Sequence, residues 1–267
     1  MQEIDRLGWA AGLTFESYGV IVGIRTTSAT VLPRIEALLP PESKRVRLKR
    51  VEILYSLLAP TDGRPGIKRF NILYLGAARV ARSFKLEEIL ETLGEGLLAT
   101  LATSSRETIF LNGGAVEIDG RAIVIAGPKG SGRTSLVKAF LKAGARYYSD
   151  DYALIDETGK VHPFQVPLSG VQGTWRTFRG ATPRPIGCVV VTRYREGARF
   201  RPRLLSAGQA MLELLSNAAP LRLHPRVVMA RMRRVVSTTP VLKGVRGEAD
   251  EVVARILASL EWNGTRS

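Results

Sequence analysis

The chain has 267 residues, 45% of them hydrophobic and 24% charged, with a formal net charge of +15. That balance supports a buried core and excludes a disordered chain, and the length suits one large domain or one domain plus a smaller one. The positive excess favours anionic partners, yet it sits in short clusters, KRVRLKR (44–50), RYREGARFRPR (193–203) and ARMRR (230–234), that read equally well as solvated faces.

The first residues, MQEIDRLGWA, lack the apolar core of a signal peptide. No run approaches the ~20 apolar residues that span a bilayer, so a cytoplasmic protein without a membrane partner is the expectation. YGVIVGIRT (18–26) alternates Tyr18, Val20, Val22 and Ile24, the period of a half-buried strand. SATVLPRIEALLPP (28–41) predicts a short helix, with Ser28 or Thr30 to cap it and Pro40–Pro41 to stop it. VRLKRVEILYSLL (46–58) reads as extended, and FNILYLGAARVARSF (70–84) as two strands joined near Gly76. LEEILETLGEGLLATLATSS (86–105) predicts an amphipathic helix softened at Gly94 and Gly96. These pieces make a small α/β N-terminal domain over 1–105, ending where TSSRE interrupts the periodicity.

A second domain over 106–267 has a different pattern. ETIFL (107–111) and AVEID (115–119) read as two strands, and Asp119–Gly120 as a hairpin turn into the apolar strand RAIVIAG (121–127). SLVKAFLKAG (135–144) puts Leu136, Phe140 and Leu141 on one helical face and ends in glycine. RYYSDDYALID (146–156) starts as a strand, and PIGCVVVTRY (185–194) is the best candidate for a central one. Its Cys188, the single cysteine, cannot form an internal disulfide and reads as a small buried hydrophobe. GQAMLELLSNAA (208–219) and EADEVVARILASLEW (248–262) predict helices.

Within this half, AGPKGSGRTS (126–135) matches the phosphate-loop pattern G-x-x-x-x-G-K-[ST], except that Arg133 replaces the lysine. Such a loop works by turning successive backbone N–H groups towards an anion at the positive end of the following helix. Gly127, Gly130 and Gly132 stand where the backbone must approach phosphate, and Thr134 where a hydroxyl binds Mg²⁺. The expected phosphate-binding set is Gly127, Lys129, Gly130, Ser131, Gly132, Arg133, Thr134 and Ser135. Arginine keeps the charge but is a wide planar fork, so the exchange is not conservative, and Lys129 is a second cation within the loop. The competing reading is a glycine-rich strand–helix turn that holds no ligand.

Sixteen residues beyond Thr134, Asp150 and Asp151 follow the strand-like RYYS. In phosphate-loop enzymes a carboxylate at the end of a neighbouring strand holds Mg²⁺, and a kinase needs a base for the acceptor hydroxyl. Asp150 and Asp151 can supply both roles, as metal ligands and as catalytic groups together with Arg133. The competing reading is a solvated turn.

The stretch NGGAVEIDGRAIVIAGPKGSGRTSLVKAFLKAGARYYSDDYALID (112–156) resembles the catalytic core of HPr kinase/phosphorylase, and resembles more closely still the HPr-kinase-like proteins found near peptide-modification genes. GKVHPFQVPLS (159–169), the LLSNAA helix, KGVRGEADEVVARIL (243–257) and the N-terminal SYGVIVGIRTTSATVLPRIEALLPP are similar to further parts of those relatives. The resemblance implies a phosphate-loop kinase core of the HPr kinase/phosphoenolpyruvate carboxykinase type, and ATP with Mg²⁺. It also implies transfer to a serine hydroxyl of a protein or peptide. Oligomers are known in that family, so a homo-oligomer is compatible with it. Three departures touch the family's pattern: Arg133 for lysine, Asn112 for a histidine of the active-site network, and PLSGVQG where relatives have an arginine soon after PLS. Asparagine still hydrogen-bonds but carries no titratable proton near neutral pH. His162 reads as structural and His224, before Pro225, as a residue at a helix start.

Three functions compete at this level. One is an ATP-dependent serine kinase. The second is a nucleotide-binding pseudokinase acting as an interaction or regulatory module, for which Arg133 and Asn112 argue. The third is a nucleic-acid-binding protein, suggested by charge alone and unsupported by any nucleic-acid motif.

Overall fold

The computed structural model describes residues 3–40, 42–48, 50–60, 69–128, 130–164 and 182–264. The expectations on Lys129 and PLSGVQG (167–173) fall outside these residues. The chain forms two compact units, Met1–Arg106 and Glu107–Ser267, both mixed α/β.

In the first unit, β1 (Ala11–Ser17) and β2 (Val20–Thr26) form a hairpin turned at Tyr18–Gly19. The helix α1 is confined to Leu32–Glu36, and Ser28 makes no side-chain cap. The region read as extended is strand only at β3 (Lys44–Arg45) and β4 (Ile53–Leu58). β5 (Asn71–Leu75) and β6 (Ala78–Ser83) are joined at Gly76, as their turn chemistry predicts. The six strands run in the order β3-β1-β2-β4-β5-β6, with only β2 and β4 parallel. α2 (Leu86–Ser104) runs unbroken through Gly94 and Gly96, against the expected softening. Its Leu93, Leu97 and Leu101 are buried with Phe15, Val22 and Leu57 of the sheet. That seam outweighs the low helix propensity of two glycines.

The second unit begins with β7 (Ile109–Ile118), one ten-residue strand where the sequence suggests two. Gly113 and Gly114 interrupt the side-chain pattern, not the strand. A Cβ at Gly113 would lie 2.6 Å from the Ile125 carbonyl oxygen, and one at Gly114 would lie 2.6 Å from a Val137 methyl. Close approach of neighbouring elements therefore explains both glycines. Asp119 and Gly120 take positive φ, 50° and 75°, and turn β7 into β8 (Arg121–Ala126).

The chain continues through α3 (Arg133–Lys142), β9 (Arg146–Ser149), β10 (Tyr152–Ile155), β11 (Lys160–His162), β12 (Arg184–Tyr194) and β13 (Arg203–Leu204). It ends with α4 (Ala207–Asn217), α5 (Pro225–Thr238), β14 (Val241–Arg246) and α6 (Ala249–Gly264). The strands order as β11-β10-β7-β8-β12-β14-β13, with β9 also on β7. β8, β12 and β14 are parallel, whereas β7 is antiparallel to β8, β9 and β10.

Alternation along the central strands divides the core between the two faces of the sheet. Val124, Val189 and Val191 pack with Leu214 of α4 and with Val228 and Met232 of α5. Ile123, Ile125 and Val190 pack with Val137 and Phe140 of α3 and with Val252 of α6. Cys188 joins this second cluster and is 1% exposed. Burial on both faces is why β8 and β12 are nearly continuous apolar runs. No helix among the described residues is long and apolar enough to cross a membrane.

Candidate functional site

The loop after β8 lies at the carboxyl end of that strand, beside the same end of its parallel neighbour β12. Although β11 also pairs with β12, the carboxyl ends of the parallel strands are the edge where α/β sheets commonly bind ligands. Gly130 and Gly132 both have φ +86°, the left-handed region that glycine takes without strain. Gly132 is the N-cap of α3 and has no side chain to satisfy the first-turn N–H groups, so those donors are left for another acceptor. The Ser131 hydroxyl oxygen is buried and has no hydrogen-bond partner among the described residues, an orphan within the loop itself. Ser135 is exposed in the first turn of the helix.

The two carboxylates come to the loop through β9. This strand is antiparallel to β7, which is antiparallel to β8, so β9 ends at the same edge of the sheet as β8. Asp150 is 1% exposed. Thr134 donates from Oγ1 to its Oδ2 at 3.0 Å, and the Tyr147 hydroxyl donates to its Oδ1 at 2.9 Å. Burial, and then the Asp150 charge, raise the Tyr147 pKa and keep that hydroxyl a donor. An oxygen-only pair of a threonine hydroxyl and a carboxylate suits a hard divalent cation. Asp151 is half-buried, and the Ser149 hydroxyl accepts from its backbone N–H at 3.2 Å. Its backbone carbonyl accepts from Gly113 N–H at 3.0 Å and from Arg133 Nη1 at 3.2 Å.

The guanidinium of Arg133 therefore reaches across to the turn that carries the carboxylates. Asn112 sits in β7 opposite Tyr152; its side-chain amide donates to the Asn217 carbonyl at 3.0 Å, and its backbone carbonyl accepts from Gly127 N–H at 3.2 Å. The residue thus supports the base of the loop. His162 is held in the β10–β11 hairpin, where its Nε2 is 2.7 Å from Asp156 Oδ2. Burial pushes the Asp156 pKa up, but hydrogen bonds from Thr158, His162 and Lys160 outweigh it and hold the group below its ordinary value. His224 is the N-cap of α5.

Two features escape a linear reading. A cavity of about 790 Å³ adjoins the loop, lined by Gly127, Gly130 and Ser131 and by the exposed Arg193, Arg201 and Arg203. The cluster RYREGARFRPR signalled charge, but only the fold brings three of its arginines to one hollow. Lys243 also lines it and forms an ion pair with Glu213. The other feature is Arg246, buried behind the loop with Nη2 donating to the Gly132 carbonyl at 2.6 Å. Compared with known proteins, the chain matches no family model, and no curated protein is significantly similar to it.

Proposed function

We propose that the protein is an ATP-dependent kinase of the HPr-kinase-like type, passing a phosphoryl group to a serine hydroxyl of a protein or peptide. The observation that carries this reading is the pairing of a glycine loop at a helix start with the buried contact between Thr134 Oγ1 and Asp150 Oδ2, at 3.0 Å. ATP with Mg²⁺ supplies the phosphoryl group and neutralises its charge when bound. The orphaned Ser131 hydroxyl, the open N–H groups of α3 and the cation-lined cavity all fit a nucleotide polyphosphate.

On this reading the backbone N–H groups of the loop bind phosphate oxygens, and Thr134 with Asp150 holds the metal. Asp150 is buried with both oxygens engaged, which suits a ligand better than a base. Asp151 is the more exposed of the pair and takes the proton of the serine hydroxyl. Catalysis is then mainly positioning and electrostatics.

A nucleotide-binding pseudokinase is the second reading, favoured by the contact of Arg133 with the Asp151 carbonyl. Calorimetric titration of ATP, with and without Mg²⁺, tests both. Saturable binding strengthened by Mg²⁺ supports a nucleotide site, and absence of binding at millimolar ATP sinks it. Arg133→Lys separates the two readings: faster turnover marks a restrained kinase, and a change confined to affinity marks a binding module.

A further inference from the structure

Arg246, the last residue of β14, is 2% exposed. Its Nη1 donates to the Gly247 carbonyl at 2.8 Å and its Nη2 to the Gly132 carbonyl at 2.6 Å, while the buried Nε has no partner. The Tyr194 ring centroid is 5.5 Å from the guanidinium carbon. Among the described residues no carboxylate forms an ion pair with Arg246. The charge of Glu248, two residues on, offsets part of the cost of burial but does not outweigh it, and a buried cation without an ion-pair partner is costly.

The location of this unpaired charge is specific. Gly132 caps α3, and a Cβ there would lie 2.3 Å from Arg246 Nη2, so the arginine is seated against the loop backbone itself. The same carbonyl accepts the Leu136 N–H at 3.2 Å. The guanidinium and the positive end of α3 thus converge on one short stretch of backbone. Arg133 engages the Asp151 carbonyl instead.

We infer that Arg246 is the fixed positive charge of the phosphate loop, a positioning residue whose missing counter-charge is the polyphosphate of the bound ligand. It pins the Gly132 carbonyl away from the anion and adds positive potential behind the loop, where Arg133, standing in place of the motif's lysine, is turned to the Asp151 carbonyl. Burial lowers the Arg246 pKa, and an anion in the loop acts in the opposite sense. The inference rests on the reading of residues 127–134 as a phosphate site.

The test uses the full chain, wild type and Arg246→Met and Arg246→Lys variants, titrated calorimetrically with inorganic triphosphate and melted with and without it. Arg246→Met should bind triphosphate roughly tenfold to a hundredfold more weakly. Its melting temperature without the anion should stay within about 3 °C of wild type, because the charge removed is buried and has no ion-pair partner. Arg246→Lys should lose less than about tenfold and less than Arg246→Met, since the charge survives although the two-pronged contact with the carbonyls does not. Unchanged binding by the Met variant overturns the inference, as does a Lys variant that loses as much affinity as the Met variant. If the Met variant does not fold, the Lys variant decides alone: a loss of less than about tenfold supports the inference, and a loss of about tenfold or more overturns it. Wild-type protein that binds neither triphosphate nor ATP instead sinks the phosphate-site reading beneath it.

Discussion

Among the described residues of the unit Met1–Arg106 the buried polar side chains are uncharged hydroxyls, those of Ser17, Thr26, Ser28, Ser56 and Ser105. Among the described residues of Glu107–Ser267 three side chains of the charged types are buried as well, Glu117, Asp150 and Arg246. A buried hydroxyl costs little beside a buried charge, so the second unit carries a burden that folding alone does not require. Glu117 has a local purpose: it accepts the Gly120 N–H at 2.8 Å in the β7–β8 turn and pairs with Arg146. Asp150 and Arg246 both lie against the 127–134 loop, and they differ in satisfaction. Both oxygens of Asp150 accept hydroxyls, whereas among the described residues Arg246 forms no ion pair and no bond at Nε. The contrast separates a unit built on apolar packing from one that holds charge in reserve around a loop.

The largest effect that would sharpen this contrast is chemical. On the proposed kinase reading, Asp150→Ala combined with Asp151→Ala should cut Mg²⁺-dependent phosphoryl transfer by about a hundredfold to ten-thousandfold while the far-ultraviolet circular dichroism stays unchanged. Retained transfer in the folded double variant would remove the carboxylates from the mechanism. The contrast between the units would then be structural only.

A smaller effect concerns Cys188, whose burial pushes its thiol from an ordinary 9.0 up to about 12. The folded state prefers the neutral thiol, so its contribution to stability is complete below pH 9.0 and is lost as pH rises towards 12. At about pH 8 the native thiol should resist alkylation until denaturant is added. Rapid labelling of native protein would mean that the interior of β12 opens readily.

The smallest effect belongs to the first unit. An added Cβ at Gly94 would meet nothing nearer than Leu38 Cδ2 at 3.7 Å, whereas one at Gly96 would lie 3.0 Å from the Tyr55 hydroxyl. Gly94→Ala should therefore stabilise the protein by about 0.5–1 kcal/mol, by helix propensity alone. Gly96→Ala should gain less, because Tyr55 also holds Thr100 Oγ1 at 2.8 Å. Equal gains in denaturant unfolding would show that the tyrosine yields without cost.

Short-range pattern was enough for β2, β5, β8, β12, α2, α3, α4 and α6, because each buries a face whose period is written in neighbouring residues, and for β6, which has no buried residue, the turn at Gly76 sufficed. It failed for β1 and β14, and for α5 it marked only the start, at His224 before Pro225. Val228, Met232 and Val235 do have helical spacing, but the arginines around them in α5 disguise it as a charged surface. In β14 only Val241 and Arg246, at its two ends, are buried, so no alternation marks the strand. β7 was divided in two because glycines selected for close approach carry no side-chain signal.

At the candidate site the sequence by itself determined the loop, its helix, the carboxylate pair and the two departures at Arg133 and Asn112, since all lie within residues 112–151. Tertiary structure alone decided which carboxylate is buried, where the Arg133 guanidinium turns, and that three arginines of 193–203 face the loop across one cavity. It also brought Arg246 to Gly132 from 114 residues away. The physical reason is that periodicity records which face of an element is buried. The partner of a buried charge is set by sheet order and register, and no local pattern encodes those.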